Sequence, residues 1–137
     1  MVKLGFGIAA GLAVALLAGW IWGASGRSEM ARALQTSELR GELLGARAAV
    51  LDTRVAIYSV NFGEASGHLE NARVLLGRAI ARLKSLGRDE EVKQLETALA
   101  HLDDAQRMAA KLDQSANSRA GEAAKSIADV LDAEAKR

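Results

Sequence analysis

Neither cysteine nor proline occurs in the chain's 137 residues. Without cysteine, disulfides, zinc–thiolate sites, iron–sulfur clusters and covalent c-type haem are excluded. The compartment stays open, because either side of a membrane tolerates a cysteine-free chain. Without proline, only glycine remains to interrupt helix formation strongly. A surplus of charge is also missing: Lys and Arg number 18 against 17 Asp and Glu, and setting aside Lys3 leaves 17 of each sign. That balance argues against a nucleic-acid binder relying on bulk positive charge.

Catalytic motifs are absent as well. The sequence contains no HExxH, no paired Glu-x-x-His, no phosphate-binding loop and no nucleophile elbow. Asp103 and Asp104 are adjacent, so on a helix they point to different sides. No enzyme activity, metal site or cofactor is expected. His68 and His101, with Met108, are the residues from which a helical bundle would build a haem site. A membrane-tethered ligand- or haem-binding bundle is therefore the alternative class of function.

What the chain does have is Leu4–Gly23, LGFGIAAGLAVALLAGWIWG, an uncharged run that matches the roughly 20 residues a helix needs to cross about 30 Å of hydrocarbon. Every fourth residue on one phase is small: Gly7, Gly11, Ala15, Gly19 and Gly23. Residues four apart share a helix face. In lipid, helix association depends on close backbone approach, which small residues at this spacing permit. The stripe predicts packing against a second copy or against other membrane-protein helices; a glycine-rich span facing only lipid is the other reading. Trp20 and Trp22 fall where an interfacial aromatic belt would lie.

A secretory signal is the rival reading of this segment, with Lys3 as its positive residue and Ala24-Ser25-Gly26 as a passable cleavage region. That would release a soluble extracytoplasmic adaptor. The apolar run is longer than the usual 7–15 residues or so of a signal, and a retained anchor is expected. Its location is a membrane, crossed once, of the bacterial inner-membrane kind. Arg27, Arg32 and Arg40 outnumber Lys3 across the span, which places the body in the cytoplasm by the positive-inside rule. A short N-terminal tail with one lysine is equally at home on an anchor that exports its body.

Alanine, leucine, arginine, glutamate and lysine dominate the rest, and all favour helix. The expected fold is all-α: an anchor over 1–26, a candidate joint at Ala24-Ser25-Gly26, and a body over 27–137. The body is predicted to be a long-helix hairpin or bundle of three to four helices, with tetratricopeptide-like or coiled-coil packing. Its helices are predicted at about 28–61, 64–86, 89–113 and 119–136. Steps of four and three from Met30 pick out Leu34, Ser37, Gly41, Leu44, Ala48, Leu51, Val55, Tyr58 and Phe62. This is a heptad seam. It predicts either a stalk shared between subunits or one helix folding back on its own chain. Tyr58 and Phe62, four apart, are expected as core anchors where two helices meet, with Leu69 behind them; the rival reading of the aromatic pair is an exposed binding hot spot.

Asn61–Ala72, NFGEASGHLENA, resembles the start of the second helix of a tetratricopeptide repeat. The resemblance rests on Phe62, the Glu64-Ala65 pair, Leu69 and Ala72. Leu86–Val92, LGRDEEV, is similar to the turn and helix start of a following hairpin. The likeness covers about residues 61–105 and implies helix-hairpin packing and a protein-binding surface.

Further on, the second helix ends in Arg73, Arg78, Arg82, Lys84 and Arg88, and the third opens with Asp89, Glu90 and Glu91. This step complements the helix macrodipole, with Gly87 as the C-terminal stop; the rival reading is a basic docking patch. Val92, Leu95, Leu99, Leu102, Ala105, Ala109 and Leu112 mark the inner face of the third helix. Residues 113–121 are polar, with Ser118 a candidate cap, and Ile127, Val130 and Leu131 give the last helix a narrow apolar stripe. The function expected is a non-enzymatic, membrane-anchored helical scaffold or adaptor. Its expected partners are the lipid bilayer, itself or other membrane helices, and not nucleic acid.

Overall fold

The structure is a computed structural model. It describes the backbone of residues 2–136 and the side chains of residues 29–136. Gly7, Gly11, Ala15, Gly19 and Gly23, with Trp20 and Trp22, lie outside the described side chains. Among the described residues, no helix is long and apolar enough to cross a membrane.

Four helices follow in order: α1 (Val2–Tyr58), α2 (Phe62–Ser85), α3 (Asp89–Ala109) and α4 (Ala116–Ala135). No strand is present among the described residues. The predicted joint at Ala24-Ser25-Gly26 does not break α1. One glycine costs a helix interior only about 1 kcal/mol, which good helix formers on both sides offset.

The chain divides into two units, Met1–Thr36 and Ser37–Arg137. In the first, the described stretch Glu29–Thr36 exposes Met30 and Leu34, and the Thr36 hydroxyl donates to the Arg32 carbonyl at 3.0 Å.

The second unit is a four-helix bundle. Neighbouring helices run antiparallel, as their side-chain pairings show. Arg82 of α2 meets Glu38 and Glu42 of α1, while Leu75 approaches Gly45 so closely that a Cβ there would sit 3.2 Å from its Cδ1. Arg73 and Lys84 of α2 pair with Asp103 and Glu96 of α3. His101 of α3 meets Glu122 of α4. The last helix then returns to α1 through Arg54 and Asn117. One core is shared by all four helices, and the first and last of them meet through Arg54 and Asn117.

Half of the buried apolar residues in that core are alanine, among them Ala46, Ala65, Ala72, Ala98, Ala105, Ala120 and Ala123. They alternate with Leu43, Leu69, Leu76, Leu83, Leu95, Leu102 and Ile127. Small residues facing large ones let the helices interdigitate at close range. Ile127 and Val130 are buried as expected and Leu131 is half-buried, but α4 also adds Ala116, Ala120, Ala123 and Ala124 to its inner face. Alanine broadens a stripe that looked narrow when only large residues were counted.

All three connections stop a helix in the same way. Val60, Gly87 and Leu112 take left-handed backbone, with φ of 59°, 67° and 58°. In each, the following amide reaches back five residues: Asn61 to the Ala56 carbonyl, Arg88 to Leu83, and Asp113 to Met108. These bonds satisfy carbonyls that a helix end leaves open. Gly87 was legible in advance, whereas a β-branched valine and a leucine give no such signal.

Each restart differs. At α2, the Asn61 side chain accepts from the Glu64 amide at 3.2 Å and donates to the Glu64 carboxylate at 2.7 Å, a reciprocal cap. At α4, the Asp113 carboxylate accepts the Ser115 amide at 2.8 Å. Those bonds hold the Asp113 carboxyl below its ordinary value, with Ser115 the dominant cause. Ser118, the predicted cap, lies inside α4, because the helix begins one turn earlier at Ala116.

Candidate interaction surface

Between Ser37 and Tyr58, α1 carries two apolar stripes at heptad spacing. Leu39, Leu43, Ala46, Val50, Thr53 and Ile57 are buried in the bundle. The predicted seam is the other stripe. Leu44 is 48% exposed, Leu51 39%, Val55 66% and Tyr58 85%, and Ser37, Gly41 and Ala48 are exposed with them. At 100° per residue the two stripes lie on nearly opposite sides of the helix. Folding back does occur, but on the face that the Met30 seam does not name.

Tyr58 as a core anchor is therefore corrected. It sits on the last turn of α1, on the outer face, and the left-handed stop at Val60 turns the chain before α2 can cover it. Phe62, the first residue of α2, is half-buried and packs on the edge of the core. Leu69, together with Ala65 and Ala72, is fully buried. Of the three predicted anchors, Phe62 and Leu69 share the core and Tyr58 does not.

Around the seam the surface is shaped and charged. A shallow groove of ≈ 360 Å³ is lined by Leu51, Arg54, Val55, Tyr58 and Asn117. A second, of ≈ 300 Å³, lies on the other side of Val55 and includes Asp52, Ser59, Asn61, Glu64 and His68. Arg54 Nε donates to Asn117 Oδ1 at 2.9 Å, and Asn117 Nδ2 donates to the Arg54 carbonyl at 3.1 Å. This two-way bond fixes α4 to the rim of the outer face. Arg40, Arg47 and Asp52 are exposed and have no charged partner among the described residues.

The step from a basic last turn, Arg82 and Lys84, to an acidic first turn, Asp89, Glu90 and Glu91, is present as expected, and most of the basic residues also reach across to other helices. Arg82 Nη1 donates to Glu38 Oε2 at 2.7 Å, while Nη2 and Nε donate to the two Glu42 oxygens at 3.0 and 3.2 Å. The Glu42 bond, with Glu38 adding to it, raises the Arg82 pKa above its ordinary value. Arg73 Nη1 lies 3.0 Å from Asp103, and Lys84 Nζ lies 3.0 Å from Glu96. Arg88, nearly buried, donates to Glu91 at 2.8 Å and pairs with Glu134 near the end of α4. Its pKa is raised mainly by the Glu134 bond. These cations tie helices together, while Arg78, the remaining basic residue of the series, is exposed. Sequence alone missed the Arg88–Glu134 and Arg54–Asn117 links, because their partners are distant in the chain.

The two histidines have separate surroundings. His68 lies 3.6 Å from Glu64 on its own helix. His101 lies 3.3 Å from Glu122. Met108 accepts the Ser115 hydroxyl at 3.4 Å. Among the described residues, no three His, Asp or Glu side chains gather as a metal site.

The chain matches no protein family, and neither a curated protein nor a solved structure shows significant similarity to it.

Proposed function

We propose that this protein is a non-enzymatic, membrane-anchored helical scaffold that assembles through its N-terminal helix. The observation that carries the reading is the second apolar stripe of α1, which the bundle leaves in solvent. A monomeric protein has little use for a heptad row of exposed leucine, valine and tyrosine, whereas an assembling one buries such a row in its partner. The small-residue stripe from Gly7 to Gly23 supports the same reading from the sequence, since it suits close helix contact in lipid. The single-pass span and a cytoplasmic body belong to this proposal.

Replacing Gly11 and Gly19 with leucine in the full chain tests it. In mild detergent, light scattering should give a smaller assembly while circular dichroism shows nearly unchanged helix. An assembly of unaltered mass would remove the glycine stripe as the contact.

A further inference from the structure

We infer that the outer face of α1 between Ser37 and Tyr58 pairs with the same face of a second copy, the two helices running parallel and in register. The inference rests on the anchored, assembling protein proposed above, and adds the partner, the direction and the register.

The seam reads Leu44, Ala48, Leu51, Val55 and Tyr58, with alternate steps of four and three. Two rows of residues flank it. Arg40, Arg47 and Arg54 follow one side at seven-residue intervals. Glu38, Gly45, Asp52 and Ser59 follow the other. In a parallel pair, a residue of the first row faces the residue five positions later in the second row of the other chain. Arg47 of each copy then faces Asp52 of the other, giving two ion pairs by symmetry. In an antiparallel pair each row meets itself, so arginine faces arginine and acid faces acid.

Charges elsewhere on the two rows agree with this choice. Glu38 is taken by Arg82 and Arg54 by Asn117, both within the bundle. Arg47 and Asp52 are the oppositely charged couple on the seam that intrachain bonds leave open.

Length decides what else is needed. From Leu44 to Tyr58 the seam spans about 21 Å at 1.5 Å per residue. So short a coiled coil is marginal alone. Anchoring in one membrane confines the copies and raises their effective concentration. It also starts both helices from the same side, which is the parallel arrangement.

Because the chain has no cysteine, single cysteine variants of the full-length protein in lipid vesicles give a direct test. Leu44→Cys and Tyr58→Cys should each form same-residue disulfide dimers under mild oxidation, several-fold above Arg78→Cys on the exposed side of α2. Arg47→Asp should reduce the Leu44→Cys dimer, and adding Asp52→Arg in the same chain should restore it. Disulfides between Leu44→Cys and Tyr58→Cys chains in a mixture, without same-residue dimers, would mean an antiparallel pair and overturn the inference. Yields equal to Arg78→Cys would overturn it as well, as would indifference to Arg47→Asp. If the full chain still assembles by light scattering in those cases, the scaffold reading survives without this contact. A monomeric full chain would end both.

Discussion

Val50 and Leu51 are neighbours on α1, yet Val50 is fully buried in the bundle and Leu51 stands on the outer face. The same division separates Leu43 from Leu44 one heptad earlier. Leu43→Ala should destabilise the body by about 3 kcal/mol, the usual cost of emptying a leucine site in a core. Leu44→Lys should change unfolding by less than about 0.5 kcal/mol, as exposed sites do. Urea titration of the two variants under conditions that keep the protein monomeric decides the matter. Equal losses would mean that both stripes are internal.

Val60 and Leu112 hold left-handed backbone without being glycine. That conformation costs an L residue about 1–2 kcal/mol, and glycine returns part of this as extra unfolded-state freedom. Val60→Gly and Leu112→Gly should each raise stability by roughly 0.5–1 kcal/mol. Gly87→Ala should lower it by about 1 kcal/mol. Thermal melts of the three variants give the comparison, and a loss at Val60→Gly would mean its side chain matters more than its backbone.

Arg88 joins the start of α3 to the end of α4 through Glu91 and Glu134. Arg88→Met takes away the guanidinium that Glu91 and the largely buried Glu134 both meet. The expected cost is about 3 kcal/mol, as for a broken buried pair. Adding Glu134→Gln should recover part of it, which a urea titration of the double variant measures.

Asp113 gives an acid-side signature. Its carboxyl sits below the ordinary 3.8 because the ionised form is held by Ser115. The folded chain thus binds this proton less tightly than the unfolded chain does. The contribution is present at neutral pH and is lost as pH falls through 3.8 toward the lowered value. Asp113→Asn should flatten the fall in thermal midpoint over that acid range and leave the neutral side unchanged in slope.

Much of the fold was readable from residue types. Alanine, leucine and charged helix formers without proline give helices, and the Gly87 stop between basic and acidic turns appears where expected. The inner face of α3 was legible because Val92, Leu95 and Leu102 recur on one side, but Leu112, read with them, lies beyond the end of that helix and is exposed. On α1 the difficulty was physical: two stripes have the same period, and α2 and α4 decide which one is covered. Tyr58 was misplaced for that reason. The stops at Val60 and Leu112 were hidden because tertiary contacts hold a backbone that their side chains disfavour. Arg54 and Asn117 are 63 positions apart, beyond the reach of any local pattern.

That last distance bears on how the body forms. Each hand-over from helix to helix takes only a few residues, so most contacts join segments adjacent in the chain. Such a topology closes small loops first and folds quickly. The Arg54–Asn117 bond belongs to the one large loop, whose ends must find each other after the hairpins exist. Closing it completes the rim of α1's outer face, so the surface proposed for a second copy is expected to be finished last, once the polypeptide has already compacted.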